Sequence, residues 1–142
     1  RLGFQLELAG QNSYRGSLQK KGDKLMEKMS GLFPDGNPDA SLLHGDLWSG
    51  NMAVLDTAMP VIFDPAIYYG DRETDIAMTE LFGGFSENFY RAYNEHFPLD
   101  SGYSIRKTFY NIYHILNHLN LFGGGYGQQA ESMIDKVLSE LG

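Results

Sequence analysis

Leu42-Leu43-His44-Gly45-Asp46-Leu47-Trp48-Ser49-Gly50-Asn51, followed at a distance by Val61-Ile62-Phe63-Asp64-Pro65, is the stretch on which the reading of this chain turns. Each half opens as a short apolar run and ends on polar groups: Ser41-Leu42-Leu43 leads into His44-Gly45-Asp46, and Val61-Ile62-Phe63 leads into Asp64. A third run, Met52-Ala53-Val54-Leu55, is joined to Val61 by Asp56-Thr57-Ala58-Met59-Pro60, so the economical prediction is a small hairpin between the two acids. The His-x-Asp-x-x-x-x-Asn spacing lets one loop carry Asp46 and Asn51 on one side, and the hairpin returns Asp64 beside them.

These three residues match what phosphoryl transfer to a hydroxyl asks of a protein: a carboxylate beside the attacking group, then an amide oxygen and a second carboxylate on magnesium, with little covalent chemistry. Asp46 answers to the first role, Asn51 and Asp64 to the others. His-Gly-Asp alone is a weak signal, because a turn containing Gly and Asp is ordinary. The spaced triple, with an apolar strand before each motif, is much stronger. The competing reading makes Asp46 and Asn51 turn formers and Asp64 the cap of the next segment.

Outward from this stretch the pattern is helical. Leu18, Leu25, Met26, Met29, Leu32 and Phe33 recur at helical spacing and stop at Pro34-Asp35-Gly36-Asn37-Pro38-Asp39. From Glu73 the helical pattern resumes. One helix carries Ile76, Met78 and Leu81, a second runs from Phe85-Ser86 to His96 and stops at Pro98, and a third spans Ser104 to Phe122 before Gly123-Gly124-Gly125. A last helix carries Ala130, Ile134, Val137 and Leu141. The predicted class is α+β, mainly helical, with a small β insert holding the polar motif.

With 142 residues and 42% hydrophobic content the chain can bury one core, so a single domain over 1–142 is expected. There is no cysteine, which removes disulfide frameworks and thiolate metal sites and fits a reducing compartment. No apolar run reaches the length of a membrane span and the first residues lack a signal-peptide layout, so a cytoplasmic protein with no membrane partner is expected. The formal charge of -7 argues against a nucleic-acid partner, whose phosphates would be met by clustered Lys and Arg. ATP is compatible with that charge, since Mg2+ neutralises the phosphates and carboxylates hold the metal. The start at Arg1, without an initiating Met, reads as the middle of a helix and suggests a truncated chain.

Leu43-His44-Gly45-Asp46-Leu47-Trp48, the segment Phe63-Asp64-Pro65 through Tyr69-Gly70-Asp71-Arg72-Glu73-Thr74-Asp75-Ile76-Ala77, the run Leu81-Phe82-Gly83-Gly84-Phe85, and Leu116-Asn117-His118-Leu119-Asn120-Leu121-Phe122-Gly123 together resemble the fructosamine (ketosamine) kinase family. The Trp-containing loop and the Leu-Asn-His stretch separate it from the aminoglycoside and choline kinases that share the His-Gly-Asp plan. The resemblance implies the C-terminal lobe of a protein-kinase-like fold, of aminoglycoside phosphotransferase type. It implies ATP and Mg2+, and a small-molecule or protein-bound ketoamine phosphorylated on a sugar hydroxyl. Asp46 would be the base, and Asn51 and Asp64 would hold magnesium on the ATP phosphates.

His44 is expected to brace the loop, and Trp48 to offer an indole face to a sugar or glycated amine, with plain packing as the alternative. Asp75 either hydrogen-bonds the loop backbone, as the resemblance suggests, or simply occupies a first helical turn. The resemblance places His118 toward the substrate, against a core or surface histidine. His114 and His118 are four apart, but no Glu follows in a His-Glu-x-x-His arrangement and no third ligand is evident, so zinc is not expected. Gly123 to Gly127 lacks a Gly-Lys-Ser/Thr ending and follows a helix, so it reads as a helix end.

A glycine-rich phosphate loop and a strand lysine paired to a helix glutamate are absent; the N-terminal nucleotide-clamping lobe is therefore expected to lie outside this chain, which alone should turn over poorly or not at all. Three other readings stay open: a kinase of the aminoglycoside or choline type, a non-catalytic pseudokinase-like module, and a metal-dependent hydrolase using His44, Asp46 and Asp64.

Overall fold

The computed structural model describes Arg1–Gly142. Ten elements follow in order: α1 (Leu2–Gln11), α2 (Ser17–Lys28), β1 (Ala40–Leu43), β2 (Met52–Val54), β3 (Pro60–Ile62), β4 (Tyr68–Asp71), α3 (Glu73–Leu81), α4 (Glu87–His96), α5 (Tyr103–Phe122) and α6 (Tyr126–Leu141). They divide into two compact units, one formed by 1–37 with 104–142 and the other by 38–103.

The first unit is all helical. Leu18 and Leu25 on α2, and Leu32 on the 3-10 turn (Met29–Leu32) that extends it, are buried, whereas Met26 of the same pattern is exposed and Met29 and Phe33 are half-buried. Gly22 lets α1 approach α2 closely, since a methyl there would meet Leu6 Cδ2 at 2.6 Å. On the outer side of the α2–α6 contact, Lys21 bridges Glu131 (3.1 Å) and Asp135 (2.7 Å), and Ser17 Oγ donates to Glu131 (2.9 Å). These pairs are partly exposed and add little to stability.

α5 is more deeply buried than a one-face amphipathic helix. Of the apolar stripe Ile105, Phe109, Ile112, Tyr113, Leu116 and Leu119, all but the half-buried Ile105 and Tyr113 are buried, and Thr108, Asn111, His114 and Ile115 on other faces are buried too. Burial first, then the nearby Arg1 guanidinium and the neighbouring His118, pulls His114 down to about 4, so its ring is neutral at neutral pH. An amide ladder ties α1 to α5: Gln5 Nε2 donates to Asn117 Oδ1 (3.2 Å), Asn120 Nδ2 to Gln5 Oε1 (2.8 Å), and Asn12 Nδ2 to Asn120 Oδ1 (3.2 Å). α5 closes where the Gly123 N–H reaches Leu119 O (2.8 Å) and both Gly123 and Gly124 take left-handed φ of 68°.

The second unit carries all four strands. β2 and β3 form the expected hairpin, with Met52 opposite Ile62. β1 pairs antiparallel with β4, Leu43 opposite Tyr68 and Ala40 opposite Asp71, a strand the sequence pattern did not announce. Alternation in β1 sends Leu43 inward and Leu42 outward. Behind the strands α3 buries Ile76, Ala77, Met78 and Thr79.

Helix α4 starts at Ser86, whose hydroxyl caps the Phe89 N–H, and buries no residue fully. Its aromatics stack on one another, Phe85 on Phe89 (4.9 Å) and Phe89 on Tyr90 (5.2 Å), while Phe97 stays exposed. Arg72 closes its far end, donating to Phe97 O (3.1 Å), Pro98 O (2.8 Å) and Tyr93 OH (2.8 Å), a cation set against the negative end of the helix. The Tyr103 hydroxyl donates to Glu80 at 2.5 Å; burial first, then that carboxylate, pushes its phenol well above the ordinary range.

Candidate functional site in the second unit

The polar loop leaves β1 at His44 and is anchored at once. The Asp75 carboxylate, in the first turn of α3, accepts from the backbone N–H of His44 (2.7 Å) and of Gly45 (2.9 Å). The two readings of Asp75 thus coexist, a first-turn acid whose two oxygens hold the loop. Charge-assisted bonds of this kind are about twice as strong as neutral ones.

His44 ties the loop to the segment after β3. Its Nε2 lies 2.9 Å from Phe63 O and its Nδ1 lies 3.3 Å from the Asp46 N–H. A carbonyl can only accept and an N–H can only donate, so both contacts are met by the neutral ring protonated on Nε2. His44 O accepts from Ala66 N (2.8 Å). Gly45, at φ +83°, runs so close to the same segment that a methyl on it would sit 2.1 Å from Ala66 O. Asp64 lies between these ties with φ +56°, an uncommon conformation for a residue with a side chain, held by the bonds on both sides of it.

Asn51 ends a 3-10 turn (Ser49–Asn51) and is buried. Its Nδ2 donates to Asp46 O (2.9 Å) and to Asp46 Oδ2 (3.0 Å), while its backbone carbonyl accepts from Phe63 N (3.1 Å). Both partners of the amide head are acceptors, so its nitrogen must face them and its Oδ1 points to the other side. Asp46, Asn51 and the Asp64 segment are therefore linked by named bonds within one unit, with His44 and Asp75 holding the frame.

Trp48 is extended (φ -129°, ψ 171°) and folds its indole back over Gly50. It meets Phe82 edge-on at 6.4 Å and remains 36% exposed. His118 belongs to the other unit, on α5. Its Nδ1 contacts His114 O (2.8 Å) and its ring lies against Tyr126 (5.3 Å) and Phe122 (5.6 Å).

The donor set fits magnesium. Neither Asp46 nor Asp64 is paired with Lys or Arg within this chain, so the local charge is negative. No group of three His, Cys, Asp or Glu forms a cage. One amide oxygen and one carboxylate suit a metal that keeps waters and substrate phosphates as its remaining ligands.

Comparison with known proteins decides the family, since the fructosamine kinase profile matches residues 1–140. The chain belongs to the fructosamine kinase family. Its family relatives include a protein of Synechocystis sp. with the provisional name ketoamine kinase, 53% identical over 138 residues, which cover 97% of this chain and 46% of that protein. The chloroplastic protein-ribulosamine 3-kinase of Arabidopsis thaliana is 46% identical over 141 residues, 99% of this chain and 43% of its own length. A crystal structure from Haemophilus somnus 129PT, provisionally named fructosamine-3-kinase, superposes with a TM-score of 0.83 at 34% identity, covering 97% of this chain and 46% of that one. This fructosamine kinase family chain thus has the architecture of the C-terminal, mainly helical lobe of a kinase-like fold, and it spans less than half the length of the relatives it matches. No helix in it is long and apolar enough to cross a membrane.

Proposed function

We propose that this chain is the acceptor- and metal-binding lobe of a longer cytoplasmic kinase that transfers the γ-phosphoryl group of ATP to a sugar hydroxyl of a ketoamine, free or protein-bound. The observation that carries the proposal is the orientation of Asn51: its amide nitrogen is committed twice to Asp46, which fixes the Asp46 carboxylate and leaves Oδ1 for a cation. The substrate class follows from the relatives, named ketoamine kinase and protein-ribulosamine 3-kinase.

In this reading Asp46 accepts the hydrogen bond of the attacking hydroxyl and takes its proton as the new P–O bond forms and the bond from the γ-phosphorus to the bridging oxygen breaks, releasing ADP. Asn51 Oδ1 and the Asp64 carboxylate would hold magnesium, which when bound neutralises phosphate charge. Asp75 keeps the loop from drifting through its two backbone bonds, and His44 fixes the distance between the loop and the Asp64 segment. Positioning of this kind supplies much of the acceleration in phosphoryl transfer. Trp48 and His118 are assigned to the ketoamine.

The test is phosphorylation of an acceptor panel by the full-length kinase, followed by 31P NMR. Ketoamines should acquire a phosphate ester while aminoglycosides and choline do not, and the 142-residue chain alone should show little turnover. Preference for an aminoglycoside or choline, or no ATP-dependent phosphorylation of any acceptor, would overturn the reading.

A further inference from the structure

Helix α3 holds the polar loop at both ends. Asp75, near its start, pins His44 and Gly45, and Phe82, seven positions on at its C-terminal cap, meets the Trp48 ring. Seven residues are two helical turns, so both contacts leave the same side of α3, about 10 Å apart along it. The Ser49 hydroxyl reaches back to Phe82 O (3.4 Å), so the turn beside the indole touches the same residue. After Phe82 the chain leaves sharply through Gly83 (φ +102°) and Gly84 (φ +70°).

The indole also rests on Gly50. A methyl built there would lie 2.3 to 2.7 Å from Trp48 Cη2, Cζ2 and Cζ3, and these are the nearest atoms it would meet. Gly50 is not in the left-handed region, so its backbone would accept a side chain; its bareness makes room for the ring. The indole thus touches a bare backbone and an aromatic ring, while the Trp48 residue stays 36% exposed. A ring constrained by two such contacts loses little freedom when a ligand stacks on it.

We infer that Phe82 and Gly50 are positioning residues that set the Trp48 indole as a fixed wall for the ketoamine, so that acceptor affinity depends on the α3 C-terminus through Trp48. This rests on the functional reading above. Phe82 needs no contact with substrate; it acts by holding the indole edge-on, the favoured geometry for an aromatic pair.

Two readouts test it. Trp48 is the only tryptophan of the chain, so fluorescence of the 142-residue protein reports this ring alone. Phe82→Ala and Gly50→Ala should each shift the emission maximum, and Phe82→Ala should lower its anisotropy. Phe82→Tyr, which keeps the aromatic edge, should remain near the wild type. In the full-length kinase, Phe82→Ala and Gly50→Ala should raise KM for the ketoamine about three- to tenfold, with smaller change in kcat and none in KM for ATP. Gly50→Ala keeps the test decisive if Phe82→Ala does not fold. Unmoved fluorescence in a folded variant, or an unchanged ketoamine KM in an active enzyme, overturns this inference alone. A wild-type protein that phosphorylates no ketoamine overturns the functional reading instead.

Discussion

Asp46→Asn in the full-length kinase is expected to lower kcat by about 10² to 10⁴-fold while KM for ATP stays close to the wild type. The substitution removes only the proton acceptor. An amide oxygen at that position can still receive the Asn51 Nδ2–H that Asp46 Oδ2 now accepts at 3.0 Å, and the backbone carbonyl that holds the same Asn51 nitrogen is untouched. The loop should therefore keep its shape, and unfolding should occur at nearly the wild-type denaturant concentration. Steady-state kinetics beside a urea titration separates the two effects. Turnover within a few-fold of wild type would remove Asp46 from the role of base.

The largest effect on folding is expected from Gly45→Ala. Two costs combine: a side chain in the left-handed region, about 1–2 kcal/mol, and a methyl 2.1 Å from Ala66 O, which can be relieved only by parting backbones that the Ala66 N–H to His44 O bond holds together. Loss of that backbone hydrogen bond adds about 1 kcal/mol, so a total of about 2–3 kcal/mol is expected. Gly36→Ala is the control, because Gly36 has a similar φ of +99° with nothing within 4 Å and should show the conformational cost alone. Equal destabilisation by urea titration would mean that the loop does not press on the Ala66 segment. In the kinase, Gly45→Ala should also depress activity, since the same contact ties the loop that carries Asp46 to the segment that carries Asp64.

Much of this architecture is legible in the sequence because its signals are local. The period of Leu18, Leu25 and Leu32 gives α2, the short apolar run Ser41-Leu42-Leu43 gives β1, and the turn after Leu55 gives the β2–β3 hairpin. β4 escapes because Tyr68-Tyr69-Gly70-Asp71 has no apolar alternation and exists through its pairing with β1. The depth of α5 escapes for a related reason: a stripe of apolar residues identifies one buried face, whereas His114 and Asn111 are covered by tertiary packing.

The polar triple is readable because Asp46, Asn51 and Asp64 are spaced along one loop and its hairpin. What fixes their geometry is not. Asp75 in a first helical turn has an ordinary explanation from sequence alone, and only the placement of α3 behind the loop puts both of its oxygens on His44 and Gly45. Gly45 in His-Gly-Asp looks like a turn glycine until Ala66 O is seen where its side chain would be. The roles of Phe82 and Gly50 carry no local signal, since their shared partner, the Trp48 ring, reaches one across the fold and the other by doubling back.

The account stands on one arrangement, an amide oxygen of Asn51 and the carboxylate of Asp64 serving the same cation. Its most direct test is an anomalous-scattering map of full-length crystals grown with Mn2+ and a non-hydrolysable ATP analogue. The account predicts a manganese peak touching Asn51 Oδ1, Asp64 and the nucleotide phosphates, with Asp46 facing the acceptor side. A nucleotide-bound metal held by other residues, with Asn51 Oδ1 or Asp64 turned away from it, would contradict the assignment.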